Sequence, residues 1–391
     1  MRNAVVGVIL AVLVASGLGV GYLASGSSSH TETTTTTSKL TSQQNTTSVT
    51  TYSMTSITTF SSISTGQPIP VATVETGNFS LPGGLAYVLD SSTDRMFILG
   101  TSSLAVVDMS SGSVIANVTL PANNAGGLIN AGLALDPGTG TVYAAVQEVV
   151  VEVNGSTDTI VRELPLSFGT LAFASTTHML WGTQPGDSAL VEVDPRTGSV
   201  VANVSIGFSP YDIAVDPSTG LVYSDGCNQE GLVCDSWASI VNGTSGTLVA
   251  KVEPGSGDYP TMALDPATHV LYVSGGQQLA AINGTTGTVI FNVNPQTCGP
   301  FVNIVVDPSL NLVLTTPATY YNYLLAYDGT TGKLVDMYSF SSTPVPVALN
   351  PNNGELYLWT TAGRFLSIHL LSTTGNVNST LIGGGEACGV P

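Results

Sequence analysis

The sequence predicts an all-β fold, in which residues 70–391 form one seven-bladed β-propeller of four-stranded antiparallel blades. A transmembrane helix (residues 1–24) and a disordered Ser/Thr-rich stalk (residues 25–69) are expected to precede it. Three observations predict this organisation: an uncharged apolar segment near the N-terminus, a Ser/Thr-rich stretch after it, and two series of turns that each recur seven times. The composition agrees, because Gly is abundant while Lys and Arg, which favour helices, together number 8 among 391 residues.

The charge balance limits the partners. The chain carries 26 acidic and 8 basic residues, a net charge of −18, and its sequence contains no cluster of Lys or Arg. Because affinity for phosphates depends mainly on Lys and Arg, the sequence excludes nucleic acid as a partner and disfavours anionic membrane surfaces. The acidity itself suits either solubility through self-repulsion or an acidic habitat.

The N-terminal segment sets the expected location. Ala4 to Ala24 is a run of 21 residues without a charge, about enough helix to cross a bilayer core of ~30 Å. Since Arg2 and the α-amino group are the nearby positive charges, the positive-inside rule leaves the N-terminus in the cytoplasm and the rest of the chain outside. A membrane anchor is favoured over a cleaved signal peptide, whose apolar region is shorter, although Ala24-Ser25-Gly26 would suit cleavage. The expected location is the cell surface, or the medium if the segment is cleaved.

Residues 25–69 have a different composition. Of these 45 residues 27 are Ser or Thr, and the apolar residues among them show no sustained period. Such a segment cannot bury enough apolar surface to fold. It is typical of an O-glycosylated stalk that holds a folded domain away from the membrane. A plain flexible linker is the alternative and gives the same topology.

The fold prediction depends on the repeats. A short turn follows a small apolar strand seven times, at intervals of 38 to 49 residues. The turns begin at Asp90, Asp136, Ala174, Asp216, Asp265, Asp307 and Asn350. In such turns a leading Asp accepts hydrogen bonds, Pro at the second place presets φ, and the closing Gly adopts the left-handed conformation. This turn chemistry predicts a hairpin at each position.

An aromatic side chain follows these turns at a fixed place, with one departure. The aromatic residues are Phe97, Tyr143, Trp181, Tyr223, Tyr272 and Tyr357, and the departure is Val313. Their regular spacing predicts core positions between adjacent blades rather than a role in ligand stacking.

A second series of seven turns lies between a third strand and a fourth strand. These turns contain Ser111-Gly112, Thr157-Asp158, Thr197-Gly198, Ser245-Gly246, Thr286-Gly287, Thr331-Gly332 and Thr374-Gly375. Two hairpins in each of seven repeats predict seven four-stranded blades. Val71 to Thr76 is a further strand-like piece that can pair with the last blade and close the ring, although residues 364–382 can also supply that blade's outer strands.

The repeats resemble the YVTN-type β-propeller repeats found in many archaeal and bacterial surface and secreted proteins. The resemblance rests on the lead-in IAVDPSTGLVY (213–223), the turn NGTTG (283–287) and an outer strand that ends in Gly or Pro, over nearly all of residues 84–386. The tetrapeptide that names the family is only approximated, as in Leu271-Tyr-Val-Ser274. The resemblance implies residence in the cell envelope and a binding or scaffolding role more often than catalysis, without one shared activity.

Four cysteines in a chain expected to leave the cytoplasm predict disulfides. Cys227 and Cys234 enclose six residues in a long loop of the fourth blade and are expected to pair with each other. Cys298 and Cys388 remain as partners by elimination. A zinc site is the alternative, but Cys227 and Cys234 lack the short ligand spacing and a nearby His.

Eight Asn-x-Ser/Thr sequons make N-glycosylation a further expectation. Asn154, Asn242 and Asn283 open Asn-Gly turns, where a need for positive φ would explain both residues without a sugar. The glycosylation candidates are Asn45, Asn78, Asn117, Asn203 and Asn378, among which Asn117 and Asn203 match within an outer strand.

The sequence indicates no catalytic residues, metal ligands or cofactor. Its four histidines form no metal-ligand or triad spacing, and no G-x-S-x-G elbow follows a strand and opens a helix. Asp212 and Asp258 stand outside the turn framework, in the lead-in loops of the fourth and fifth blades, with Tyr211 and Tyr259 beside them. Since such loops surround one mouth of the central channel, these four residues are the candidate ligand site. A calcium ion held by loop oxygens is feasible there, and solvated loop residues are the alternative.

These observations predict a non-enzymatic binding or scaffold module of the cell surface, whose propeller recognises a protein or glycan of the envelope or of another cell. Two alternatives stay open. One is a secreted propeller enzyme, lactonase-like or quinone-cofactor dehydrogenase-like, although three Trp residues form no repeated cofactor-docking pattern. The other is a structural component of a surface layer.

Overall fold

The structure is a computed structural model that describes residues 36–41, 51–56, 73–79, 86–121, 131–146, 148–230, 233–256, 260–275, 278–294, 301–317, 322–363 and 365–370. The expected membrane segment, residues 1–24, and most of the expected stalk lie outside these ranges. Within them no helix has the length and apolar character to cross a membrane. Two short strands in the expected stalk, β1 (Thr36–Thr41) and β2 (Thr51–Ser56), pair antiparallel. The boundaries of anchor and stalk stay predictions.

The strands from β3 onward form seven antiparallel sheets of four strands each. β3 spans Thr73–Phe79. Blade one contains β4 (Ala86–Asp90), β5 (Arg95–Leu99), β6 (Ser103–Asp108) and β7 (Ser113–Thr119). Blade two contains β8 (Ala131–Asp136), β9 (Thr141–Val146), β10 (Val149–Asn154) and β11 (Thr159–Leu164). Blade three contains β12 (Leu171–Ala174), β13 (Met179–Gln184), β14 (Ala189–Asp194) and β15 (Ser199–Ser205).

The remaining blades follow the same order. Blade four contains β16 (Ser209–Val215), β17 (Leu221–Glu230), β18 (Val233–Asn242) and β19 (Thr247–Ser256). Blade five contains β20 (Thr261–Asp265), β21 (Val270–Gly275), β22 (Gln278–Asn283) and β23 (Val289–Val293). Blade six contains β24 (Phe301–Asp307), β25 (Leu312–Pro317), β26 (Tyr323–Asp328) and β27 (Leu334–Ser339). Blade seven contains β28 (Pro344–Asn350), β29 (Glu355–Thr360) and β30 (Phe365–Leu370), with β3 as its outer strand.

The blades close into a ring. The first strand of each blade contacts the first strand of the next, and β28 contacts β4. In blade seven, β3 pairs antiparallel with β30, so that Thr73 faces Leu370 and Phe79 faces Phe365. Of the two alternatives that the sequence left open, the structure shows closure by the N-terminal strand. The alternative, an outer strand supplied by the C-terminal residues, is wrong for the place beside β30.

The register of blade seven explains this choice. In blade one Asp108 faces Arg95, the first residue of the second strand, and begins the turn to the fourth strand. In blade seven His369 holds that place, facing Glu355. In the sequence Asp108 precedes its closing Gly112 by four residues, whereas His369 precedes Gly375 by six, so the C-terminal sequence lacks the spacing of the tight turn in the other blades. Because His cannot cap a turn as Asp does, this hairpin is also less favoured.

β3 reproduces the geometry of the outer strands elsewhere. In blade one the register of β6 and β7 shifts between Val106 and Val107, which leaves one extra residue in the outer strand. The register of β30 and β3 shifts at the corresponding place, between Glu75 and Gly77. β3 therefore completes blade seven with the same bulge that the outer strand of blade one contains.

The aromatic residues lie in the core, as predicted. All six are buried between blades, as Tyr223 shows by packing with Leu271 of blade five. Burial of a large apolar side chain contributes about 1.5 to 3 kcal/mol, so these contacts hold neighbouring blades together. In blade six the residue at the aromatic position is Leu314 and not the predicted Val313. Leu314 faces Val305 across the strands, as Tyr272 faces Ala263 in blade five.

The two ends of the blades differ. We call the end that carries the first-to-second and third-to-fourth strand turns the turn face, and the other end the loop face. Every first-series turn closes with a residue at φ between 53° and 73°, which confirms the predicted left-handed conformation. These closing residues are Asp94, Gly140, His178, Gly220, His269, Asn311 and Gly354. Several loop-face connections, including residues 122–130, 257–259, 295–300 and 318–321, lie outside the described residues.

The Asn-Gly turns are explained by capping and by close contact rather than by positive φ. Asn283 Oδ1 accepts hydrogen bonds from the N–H groups of Thr285 and Thr286, at 3.0 and 2.9 Å. Neither Asn283 nor Gly284 has a positive φ, and the closing Gly287 carries it instead, at 75°. A Cβ at Gly284 would lie 2.7 Å from the carbonyl oxygen of His269, which explains the glycine. The predicted reason for these residues was therefore wrong.

Candidate functional site

Two of the four predicted site residues are described. Tyr211 and Asp212 lie in β16, close to the loop face, and both are half-buried. The register of β16 against β17 shifts between Pro210 and Asp212, so a bulge occurs at Tyr211. Asp258 and Tyr259 lie outside the described residues, and their proximity to Asp212 stays a prediction.

Asp212 has an acidic neighbour that the sequence reasoning missed. Asp225 of β17 pairs with Asp212 across the strands, and the Asp212 N–H donates to Asp225 Oδ1 at 3.0 Å. Asp212 Oδ1 accepts the N–H of Ile213 at 2.8 Å. Asp225 is fully buried, and its Oδ2 has no hydrogen-bond partner among the described residues. Two carboxyl groups of one blade thus share one site.

Burial determines the charge of this pair. It raises the pKa of Asp212 to about 6. Burial, together with the neighbouring Asp212 charge, raises the pKa of Asp225 well above its usual value. Two neighbouring carboxyl groups, one of them fully buried, do not readily ionise together. Burial therefore favours the protonated form of Asp225.

The bulge around the pair is held from two sides. Ser224 Oγ donates to the carbonyl oxygen of Asp212 at 2.7 Å. Thr170 Oγ1, from blade three, donates to the carbonyl oxygen of Tyr211 at 3.1 Å. Buried carbonyl groups require such partners, so these bonds fix the position of the bulge. The first strand of blade four is therefore tied to blade three at the level of the acid pair.

The acid pair faces the next blade. Tyr223 and Ala238 pack in the cluster that joins blades four and five, with Leu271 on the opposite side. Asp225 lies two residues beyond Tyr223 and faces Ala238 across the strands, so it is on the same side of the sheet. The pair therefore lies between blades four and five, at their loop-face end.

The geometry limits the chemistry of the pair. A group that exchanges protons with a substrate must come within hydrogen-bond reach of it. Asp225 exposes none of its surface, so only the half-buried Asp212 is within reach from outside. In the described part of the chain no group of three or more His, Cys, Asp or Glu is arranged to hold a metal ion.

A signal for Asp225 was present in the repeats. Counted from the first turn, the same position in the other blades holds Leu99, Ala145, Thr183, Ser274, Thr316 and Trp359. None of these side chains is ionisable. Superposing the second strands of all seven repeats would therefore have singled out Asp225.

Two of the four cysteines, Cys227 and Cys234, lie close to this site in the chain. Cys227 is disulfide-bonded and lies in β17, two residues after Asp225. β17 and β18 form a hairpin that includes Cys234, opposite Gln229. The pairing of Cys227 with Cys234 stays a prediction. Cys298 and Cys388 lie outside the described residues, so their pairing also stays a prediction.

Comparison with known proteins identifies the fold. No family model and no curated protein matches the sequence. A chain from the "Crystal Structure of Mitotic Checkpoint Complex" matches with a TM-score of 0.63 and 14% identity, over 80% of this chain and 97% of that one. A chain of Kuenenia stuttgartiensis hydrazine synthase matches with a TM-score of 0.62 and 11% identity, over 75% of this chain and 96% of that one. At such identities the likeness shows the fold alone, and it supports the predicted seven-bladed propeller.

Proposed function

We propose that this chain is a non-enzymatic binding or scaffold module of the cell surface, whose propeller recognises a protein or glycan partner through the loop face. The supporting observation is the difference between the two faces. The turn face repeats one capped turn, while the loop face differs from blade to blade and contains the bulge at Tyr211. Variable loops positioned by a rigid framework are the usual place for recognition.

The acid pair supports recognition better than catalysis. Asp225 is shielded from any substrate, and the hydrogen bonds of Asp212, Ser224 and Thr170 fix the backbone rather than leave a mobile acid. A held bulge would present Tyr211 in one orientation. An aromatic side chain held in this way loses little conformational entropy when it meets a partner.

The proposed location comes from the sequence. The uncharged segment from Ala4 to Ala24 would anchor the chain with its propeller outside, or direct its secretion if it is cleaved. Membership of the YVTN-type repeat family, which is part of this proposal, would agree with such a location. The proposal includes no cofactor and no nucleic acid.

The test is capture of a partner from native envelope extract on the immobilised full chain, followed by mass spectrometry. The loop-face variant combines Tyr211→Ala with Asp212→Asn. The control is a turn-face variant that combines Thr244→Ala with Thr330→Ala, because both threonines are exposed in equivalent turns. We expect a specific partner that is retained by the control and bound at least tenfold more weakly by the loop-face variant.

Three results would contradict the proposal. Equal loss of binding in both variants would place recognition elsewhere. Turnover of a substrate that Asp212→Asn abolishes would favour the enzyme alternative. Self-association in analytical ultracentrifugation, without any captured partner, would favour a surface-layer component.

A further inference from the structure

The outer strands expose apolar side chains in a regular pattern. In each of blades one to five, two consecutive Val, Ile or Leu residues lie within the first three residues of the fourth strand, and 40 to 56% of their surface is exposed. The bulge explains the pattern. Val107 faces Val114 and Val106 faces Ala116, so Ile115 has no partner across the strands and both Val114 and Ile115 face solvent.

Two of these strands also carry a sequon at the same place. Asn117 faces Ala105 in blade one, and Asn203 faces Val191 in blade three, each three residues after the first residue of the apolar pair. Both Asn side chains are exposed. The residue after each is buried, and the hydroxyl residues Thr119 and Ser205 are exposed again. Strand alternation therefore places the amide and the hydroxyl of each sequon on one solvent-facing side.

We propose that Asn117 and Asn203 carry N-linked glycans that cover the exposed apolar pairs of their strands. The proposal rests on the location outside the cell that is part of the proposed function. At about 3.3 Å per residue, each Asn lies about 7 to 10 Å along the strand from its apolar pair, within reach of a short oligosaccharide. The glycan would shield Val114 and Ile115 in blade one, and Val200 and Val201 in blade three.

The modification needs a glycosyl donor, which we take to be an oligosaccharide linked to a lipid through phosphate. The Nδ2 atom of Asn117 attacks the anomeric carbon of the first sugar. A bond forms between Nδ2 and this carbon, the bond from the carbon to the phosphate oxygen breaks, and the lipid phosphate leaves with the electron pair. Nδ2 loses one proton, which the leaving phosphate accepts. Asn203 reacts in the same way.

Blade five offers a natural comparison. Asn292 lies at the equivalent position, facing Ala280, after the exposed pair Val289 and Ile290. Its Nδ2 donates to the carbonyl oxygen of Pro254 at 2.5 Å, and residue 294 is Asn rather than Ser or Thr. Asn292 is therefore expected to stay unmodified. Asn78 occupies the same backbone position in blade seven, facing Leu366.

The turn sequons differ from the strand sequons. Asn154, Asn242 and Asn283 are half-buried, and each uses its Oδ1 to accept two backbone N–H groups within its turn. Their side chains are held against the backbone, whereas Asn117 and Asn203 project from an extended edge strand. The structure therefore separates two classes among the sequons.

The experiment is glycopeptide mass spectrometry of the full chain produced in its native host. We expect a sugar mass on the peptides of Asn117 and Asn203, and a bare Asn292. Thr119→Ala and Ser205→Ala should remove the corresponding sugar while leaving each Asn in place. Thr119→Ser keeps the sequon and should keep the sugar, which separates modification from any effect of the substitution on folding.

A second measurement tests the covering of the apolar pairs. Retention on a hydrophobic-interaction column should rise for Thr119→Ala/Ser205→Ala, and the rise should disappear when Val114, Ile115, Val200 and Val201 are also replaced by Thr. If retention did not rise, the proposal that the glycans cover the apolar pairs would be overturned.

Bare Asn117 and Asn203 in a chain that a membrane-impermeant reagent labels on intact cells would overturn the modification itself. The same labelling separates this failure from a failure of the proposed location, in which no label would be found.

Discussion

The turn face and the loop face are built from the same strands but follow different rules. On the turn face, one hydrogen-bonding scheme recurs in the first turn of six blades, with Ala174 of blade three as the exception. Asp216, for example, caps its turn through Ser218, and Asp265 does the same through Ala267. Among the described residues of the loop face the bonding is less regular: a second-strand hydroxyl donates to a first-strand carbonyl in blades four and six, from Ser224 to Asp212 and from Thr315 to Asn303. Blade four alone has the pair of Asp212 and Asp225. The difference shows that the turns keep the ring regular, which leaves the loops of each blade free to differ.

The two faces also shift the pKa of a buried carboxyl group in opposite directions. At Asp216 burial alone would raise the pKa, but hydrogen bonds from Ser218 and Thr219 and the contact with His269 outweigh it and lower the pKa to about 2. Asp225 receives fewer hydrogen bonds and has a second carboxyl group beside it, so its pKa is raised. The turn face thus stabilises a charged acid, and the loop face stabilises a protonated one.

The largest effect is expected from Asp216→Ala. Asp216 is fully buried, accepts from the N–H and Oγ of Ser218 at 2.8 and 2.7 Å, and lies 2.6 Å from His269 Nδ1 of blade five. Its removal leaves these groups without a partner and should lower the free energy of unfolding by about 3 to 4 kcal/mol. Chemical denaturation measures this.

The control for this variant is Asp108→Ala in the second turn series. Asp108 caps its turn through Ser111 at 2.9 Å, but these bonds lie at the surface. Its loss should cost well under half as much. Equal losses would show that burial and the contact between blades add nothing to the turn-face cap.

The next effect concerns pH. The folded pKa of Asp212 is raised to about 6, so its contribution to stability is fully present below pH ~4 and is lost as pH rises through 6. Asp212 should account for a loss of about 2 to 3 kcal/mol between pH 4 and 7, at ~1.4 kcal/mol per pKa unit. Asp225, whose pKa is also raised, adds to this loss in the same direction. Denaturation curves across this range should therefore show declining stability, and Asp212→Asn or Asp225→Asn should flatten the decline.

Asp216 predicts the opposite slope. Its folded pKa of about 2 lies below the usual value, so its contribution is present above pH ~4 and is lost as pH falls through 2. Asp216→Asn should flatten the acid limb only. The comparison of the two faces would be contradicted if Asp216→Asn changed the decline of stability between pH 4 and 7. It would also be contradicted if Asp212→Asn or Asp225→Asn changed the loss of stability at acid pH.

The smallest effect is expected from His269→Gly. His269 closes its turn at φ 57°, a conformation that favours glycine, and sister turns use Gly140 and Gly220 there. The variant relieves backbone strain but loses the contact with Asp216, and these terms oppose each other. The free energy of unfolding should change by less than about 1 kcal/mol. A loss of several kcal/mol would show that the contact between blades outweighs the turn conformation.

The repeats allowed most of the fold to be predicted, because their turns and core residues depend on local chemistry. The buried aromatics such as Trp181 and Tyr357 followed from spacing alone. The pair of Asp212 and Asp225 did not, since the two residues meet only through the register of β16 and β17. The single-residue error at Val313 was one of spacing: each of the aromatics lies seven residues after the first residue of its turn, and seven residues after Asp307 is Leu314.

β3, the strand that closes the ring, is also the first propeller strand after the proposed anchor and stalk. If the segment from Ala4 to Ala24 holds the chain in a membrane, tension on the propeller enters at Thr73 and runs along β3, loading its bonds to β30 in shear. A force large enough to separate β3 from β30 would remove the outer strand of blade seven. Lengthening of the covalent tether and loss of the outer strand of blade seven would then be a single event.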